Sequence, residues 1–179
     1  MQDKALYSAV QRSDEKALST LFDKYFQDLC FYSFQIIKSK ELSEEVVADV
    51  FIKIWNNRGK AVVLNLKNYL YKSVKNGSLQ AIKDIKPRLC VDDSYRELHL
   101  LTIDIESHIM EKESLEHVIG IINKMPVQRR TVFELNRING LKYKEIAEVM
   151  NISVRTVQNQ MIKAVQFMHE NFSENSASL

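Results

Sequence analysis

Between Leu141 and Met168 the chain reads LKYKEIAEVMNISVRTVQNQMIKAVQFM, and no other stretch leaves so few folds open. Tyr143, Ile146, Ala147 and Met150 recur at helical spacing, and Asn151-Ile152-Ser153 interrupts the period. Val157, Met161, Ala164, Val165 and Met168 then resume it as one apolar stripe. This pattern is two short helices joined by a tight turn. Ser153 stands where it can cap the second helix by accepting a bond from the free N–H groups, and Ala147 is small enough to let the helices cross closely. The remaining residues of the second helix include Arg155, Thr156, Gln158, Asn159, Gln160, Lys163 and Gln166, all hydrogen-bonding and none acidic. A helix-turn-helix sets such a face in the major groove of DNA, where arginine pairs with guanine and asparagine or glutamine with adenine. An ordinary helical hairpin has the same period, but the cap, the small crossing residue and the acid-free face together favour the DNA-reading motif.

The rest of the chain is also helical in pattern. Four glycines and two prolines in 179 residues are too few for an all-β fold, and strand-like alternation is nearly absent. A short helix is expected over residues 3–11. Ser13-Asp14-Glu15 starts a second, with Leu18, Leu21, Phe22, Tyr25, Phe26 and Leu29 as its core stripe. Ser43-Glu44-Glu45 reads as the start of a third, ending at Asn56-Asn57-Arg58-Gly59. Its apolar residues Val46, Val47, Val50, Phe51, Ile54 and Trp55 are too widely spread for one packing contact, so this helix is either central or docks on a partner.

A basic loop over 58–67 leads to a fourth helix, from about Leu66 to Ile85, with Tyr69, Leu70, Tyr71, Val74, Leu79 and Ile82. Lys67, Lys72, Lys75 and Lys83 lie among its tyrosines. Such a mixture can hold single-stranded nucleic acid, the rings stacking on bases and the lysines following phosphates, although these residues alone favour a packed helix with a lysine-rich outer face. Pro87 ends this region, and residues 87–110 read as a linker. Helical spacing returns over 111–124, and Pro126 suits the first position of a further helix carrying Val127, Val132, Phe133 and Leu135. Asn139-Gly140 closes that helix with a left-handed cap, and SENSASL ends the chain as a frayed tail.

Charge is unevenly spread. Residues 1–83 hold thirteen Lys/Arg and nine Asp/Glu, net +4; residues 84–116 hold four and nine, net −5; residues 117–179 hold eight and five, net +3. Two basic halves suit polyanions, and the acidic middle repels or mimics them. Cys30 and Cys90 lack metal-ligand spacing and fit a reducing cytosol. His99 and His108 have no third ligand at a useful spacing. The N-terminus MQDKALYSAVQRSDEK has no long apolar run, so neither a signal peptide nor direct membrane insertion is expected. No phosphate loop, metal cluster or nucleophile elbow is present, and nothing calls for catalysis, a metal or a cofactor.

Taken in this order, the residues resemble the small extracytoplasmic-function (ECF) group of bacterial RNA polymerase sigma factors. Leu18 to Trp55, ending in SEEVVADVFIKIW, looks like the polymerase-docking helices. Asn68-Tyr69-Leu70-Tyr71 through Asn76 to Lys83 looks like the strand-melting helix, and MPVQRRTVFELNRINGLKYKEIAEVMNISVRTVQNQ like the promoter-reading domain. The chain departs from the usual pattern at Ala48 (commonly Gln), Gln80 and Lys83 (Asp and Arg), Asn151 (Gly), and Gln158 and Gln160 (Glu and His). The last two imply an altered promoter preference.

The resemblance implies an all-α protein of two small helical domains, residues 1–86 and 111–179, joined by the acidic linker 87–110. It implies a cytoplasmic factor that binds core RNA polymerase and promoter DNA and is regulated by an anti-sigma factor. Residues expected on duplex promoter DNA are Arg130, Lys144, Arg155, Thr156, Gln158, Asn159 and Lys163. Those expected at the opened strand are Lys60, Asn65, Tyr69, Lys72, Asn76 and Lys83, the base-capturing loop falling at about Gly59 to Leu66. Those expected on polymerase are Glu45, Val46, Asp49, Val50, Phe51 and Trp55. Two rivals stay open: a dimeric helix-turn-helix regulator that binds a palindrome without polymerase, and a protein-interaction module whose helix-turn-helix no longer reads DNA.

Overall fold

The computed structural model describes residues 2–59, 63–84 and 112–176, with side chains over 3–59, 63–84 and 117–172. The expected linker 87–110, its two histidines and Lys60 lie outside these residues. The described residues form helices and connecting turns, with no strand. The chain divides into two units, Met1–Arg96 and Glu97–Leu179.

In the first unit, α1 (Gln2–Gln11), α2 (Glu15–Ile37), α3 (Lys40–Asn56) and α4 (Leu66–Asp84) pack around α2. Asp14 caps α2, its carboxylate accepting from the Ala17 N–H at 3.1 Å. Along α2 the buried residues first keep helical spacing, as Ala17, Leu21, Tyr25 and Leu29. From Leu29 to Phe34 every residue is buried, because α1, α3 and α4 all contact this helix. Leu18, Phe22 and Phe26, expected in the core stripe, are only half-buried. Phe22 and Phe26 stack at 4.4 Å, and Phe22 meets Phe51 of α3 edge-on at 5.1 Å.

Helix α3 begins one turn earlier than Ser43-Glu44-Glu45 suggests. Lys38 ends α2 in the left-handed region (φ 60°), and Ser39 follows in the extended conformation a cap requires, accepting from the Leu42 N–H. Ser43 is therefore inside the first turn, buried, its hydroxyl donating to the Ser39 carbonyl at 2.6 Å. Small residues let α4 lie close to its neighbours. Ser78 pairs with Ser33 of α2 through their buried hydroxyls at 2.8 Å, and a Cβ built at Gly77 would stand 2.9 Å from Val46 Cγ1 of α3. Leu79 and Ile82, apolar residues of the same helix, are 43% and 40% exposed.

The second unit holds α5 (Lys112–Lys124), α6 (Val127–Arg137), α7 (Tyr143–Met150) and α8 (Val154–Ser176), and α5, α6 and α7 each contact α8. Pro126 is the cap before α6 rather than its first helical residue (φ −53°, ψ 138°). Gly140 takes φ 63° and lets the Leu141 N–H reach back to the Leu135 carbonyl at 2.9 Å, the left-handed closure expected at Asn139-Gly140. The last helix is not short: with neither glycine nor proline after Ser153, α8 runs on through 173–176, where a frayed tail was expected. Val157, Met161 and Ala164 form its buried stripe, whereas Val165 is 48% exposed and Val127 of α6 is 61% exposed. Val149 is buried on α7, where Tyr143 and Met150 are only half-buried, and α6 buries the carboxyl-bearing Glu134.

Candidate nucleic-acid interface

The turn between α7 and α8 is built by three local interactions. Glu145 Oε2 accepts from the Lys142 N–H at 2.7 Å and fixes the start of α7. Asn151 takes φ 57° and ψ 49°, a left-handed conformation in which Asn is the usual substitute for Gly, and the Ile152 N–H returns to the Ala147 carbonyl. Ser153 Oγ then accepts from the Thr156 N–H at 3.0 Å and caps α8.

Beyond this turn Arg155, Gln158 and Asn159 are exposed. With Tyr143 of α7 and Ile162 they line an open concavity of about 530 Å³. Their spacing of three and four residues keeps them on one side of α8, and Lys144 and Lys163 are also exposed. A guanidinium and two carboxamides converging on a concave surface can make the bidentate pairs that distinguish bases in a major groove.

Two residues expected on DNA also make contacts within their own unit. The Thr156 hydroxyl lies 2.8 Å from Ser153 Oγ, so it belongs to the cap. Arg130 is half-buried and donates through Nη1 to the Asn123 carbonyl at 2.9 Å, tying the start of α6 to the end of α5. A carbonyl at a helix end carries partial negative charge, which attracts a guanidinium within reach.

In the first unit a groove of about 660 Å³ runs between α3 and α4. It gathers Glu45, Val46, Asp49 and Val50 with Tyr69 and Asn76, residues that the sequence assigns to two separate sites. Glu45 and Asp49 are exposed, one turn apart, and Leu42, Lys53 and Gln80 complete positions that sequence reasoning did not select. Phe51 points inward, only 4% exposed, because it packs against Phe22. Val50 reaches the groove but is likewise buried. Trp55 is half-buried: the Arg58 guanidinium lies 4.1 Å from the centre of its ring, and Arg58 also donates to the Trp55 carbonyl and to Ser13 Oγ.

On α4 Lys72 and Lys83 are exposed, and Tyr69 is 37% exposed. Asn65, expected at the opened strand, caps α4, its side-chain oxygen accepting from the Asn68 N–H at 3.0 Å. A chain leaving a loop must satisfy the first N–H groups of the next helix, and Asn65 is the residue in place to do it.

Two helical units, one of them carrying a helix-turn-helix with an open hydrogen-bonding face, have the architecture of a DNA-reading protein. Residues 116–168 match the family model for sigma-70, region 4. The chain is 27% identical over 180 residues to the ECF RNA polymerase sigma-E factor of Haemophilus influenzae, covering 92% of each. Its fold is similar to that of CnrH in complex with the cytosolic domain of CnrY (TM-score 0.61, 17% identity, covering 97% of this chain and 99% of that one). It is also similar to the sigma factor RpoE in complex with the anti-sigma factor NepR from Bartonella quintana (TM-score 0.58, 14% identity, 88% and 98%). Along most of its length the chain is thus similar to ECF RNA polymerase sigma factors, and its second unit carries the match to sigma-70, region 4.

Proposed function

We propose that this chain binds core RNA polymerase and directs it to a restricted set of promoters, and that an anti-sigma protein controls it. The observation that carries the reading is the full-length likeness to an ECF sigma factor, both halves in the same order. A helix-turn-helix alone would fit many regulators. In this reading Arg155, Gln158, Asn159 and Lys163 contact the upstream promoter element as duplex, with Lys144 on its phosphates. Glu45, Val46 and Asp49 meet polymerase at the groove between α3 and α4, while Tyr69, Lys72, Asn76 and Lys83 face the opened strand. The factor works in the cytoplasm, where polymerase and promoter are; among the described residues no helix is long and apolar enough to cross a membrane.

The test mixes purified protein with core polymerase and genomic template and maps transcript starts. A sigma factor creates start sites that core polymerase lacks. A dimeric regulator would only change the use of existing ones, and an interaction module would do nothing.

A further inference from the structure

The outward side of α8 carries an apolar residue, within its hydrogen-bonding face, that hydrogen bonding does not explain. Ile162 is 57% exposed. It lines the same concavity as Arg155, Gln158, Asn159 and Tyr143. Seven residues after Arg155, it falls on the same side of the helix, two turns further on. The apolar stripe that holds α8 to its own unit is a different one, formed by the buried Val157, Met161 and Ala164. Ile162 therefore adds little to the core, and in the free protein it exposes a branched hydrocarbon among polar groups.

The major groove offers one apolar feature to match it, the C5-methyl group of thymine. We propose that Ile162 reads a thymine in the upstream promoter element by contact with that methyl. The inference rests on the proposed function and adds to it a specificity-determining residue and the base it selects. Geometry also places the base. Seven residues of α-helix advance about 10 Å, and base pairs rise about 3.4 Å each. The thymine therefore lies within about three base pairs of the base that Arg155 reads, the full separation being reached only if α8 runs along the duplex axis.

The experiment uses holoenzyme assembled from the full chain and core polymerase, selecting from randomised duplex DNA. One library contains thymine and an otherwise identical one contains uracil, which pairs the same way but lacks the methyl. Wild-type holoenzyme should prefer thymine at one upstream position, and the preference should fall about fourfold when uracil replaces it, the change expected for one buried methyl-sized group. Ile162→Ala should bind both libraries alike at that position and keep its preferences elsewhere. Ile162→Val, which keeps an apolar contact, should retain most of the discrimination. Ile162 is exposed on a helix, so the alanine variant should fold, and matched circular dichroism and core-polymerase affinity would establish that its change lies in base reading.

If wild type and Ile162→Ala show the same thymine preference in both libraries, the inference is overturned while the proposed function stands. It is also overturned if Ile162→Ala loses affinity for core polymerase with its base preferences unchanged, because the side chain would then contact protein. Failure of wild-type holoenzyme to enrich any sequence would overturn the function itself.

Discussion

Gly77 offers a test of how closely α3 and α4 are packed, since the two helices form the walls of the groove. Replacing a mid-helix glycine with alanine ordinarily stabilises a helix by about 0.8–1.0 kcal/mol. At Gly77 the new methyl would stand 2.9 Å from Val46 Cγ1. Valine is stiff at χ1 in a helix, so that atom cannot swing aside as the end of a longer chain would. Overpacking of this kind costs about 1–3 kcal/mol, which exceeds the propensity gain in most of its range. Gly77→Ala should therefore destabilise the first unit by about 1 kcal/mol, a fall in Tm of about 4–8 °C for a unit of this size.

Two comparisons isolate the cause. At Gly120 of α5 an added methyl would have nothing within 4 Å, so Gly120→Ala should raise stability by the ordinary amount. In a Val46→Ala background the clashing atom is gone, and Gly77→Ala should reverse sign and stabilise by about 0.8–1.0 kcal/mol. Thermal denaturation of the four variants followed by circular dichroism reads all of this. A higher Tm for Gly77→Ala in the wild-type background would refute the close approach and the account of the groove built on it.

Arg155→Ala should cost about 1–3 kcal/mol of binding to the upstream element and relax preference at one base position, measured by competition with base-substituted duplexes. Arg130→Ala should chiefly lower the melting temperature of the second unit, because its guanidinium holds the end of α5; a loss of DNA affinity with unchanged melting would contradict this assignment. Asp49→Arg, at an exposed position, should leave folding intact and weaken association with core polymerase, as titration with labelled protein would show. Burial raises the pKa of Asp3, but hydrogen bonds from Lys24 and Tyr25 and the charges of Lys24 and Lys67 outweigh it and hold the carboxyl below 3.8. The folded pKa is thus below the unfolded one, so its contribution is present above about 3.8 and lost as pH falls through the folded value. The stability gap between wild type and Asp3→Asn in urea titrations should close at strongly acid pH, and a gap that persists there would assign it to something other than the charge.

The helices and the helix-turn-helix were legible in the sequence because each rests on local rules. A period of 3.6 marks an amphipathic helix, a serine before it marks a cap, and Asn151 and Gly140 stand where the backbone turns left-handed. Those rules also expose Arg155, Gln158 and Asn159, since a buried stripe at Val157, Met161 and Ala164 leaves the opposite side to solvent.

Local rules do not say how much of a wide face the neighbouring helices cover. Val165, Val127, Leu79 and Ile82 share a helical period with core residues, yet they lie beyond the reach of the helices that bury the rest. Nor does spacing decide whether a polar side chain reaches outward or satisfies a nearby backbone group, because that depends on where the next helix begins and ends. Asn65, Thr156 and Arg130 were each plausible ligands by residue type, and each meets an N–H, a hydroxyl or a carbonyl of its own unit. The groove that unites Glu45, Val46 and Asp49 with Tyr69 and Asn76 is a tertiary fact of the same kind. It exists because α3 and α4 approach at Gly77, a contact between residues some thirty positions apart in sequence that no period along either helix encodes.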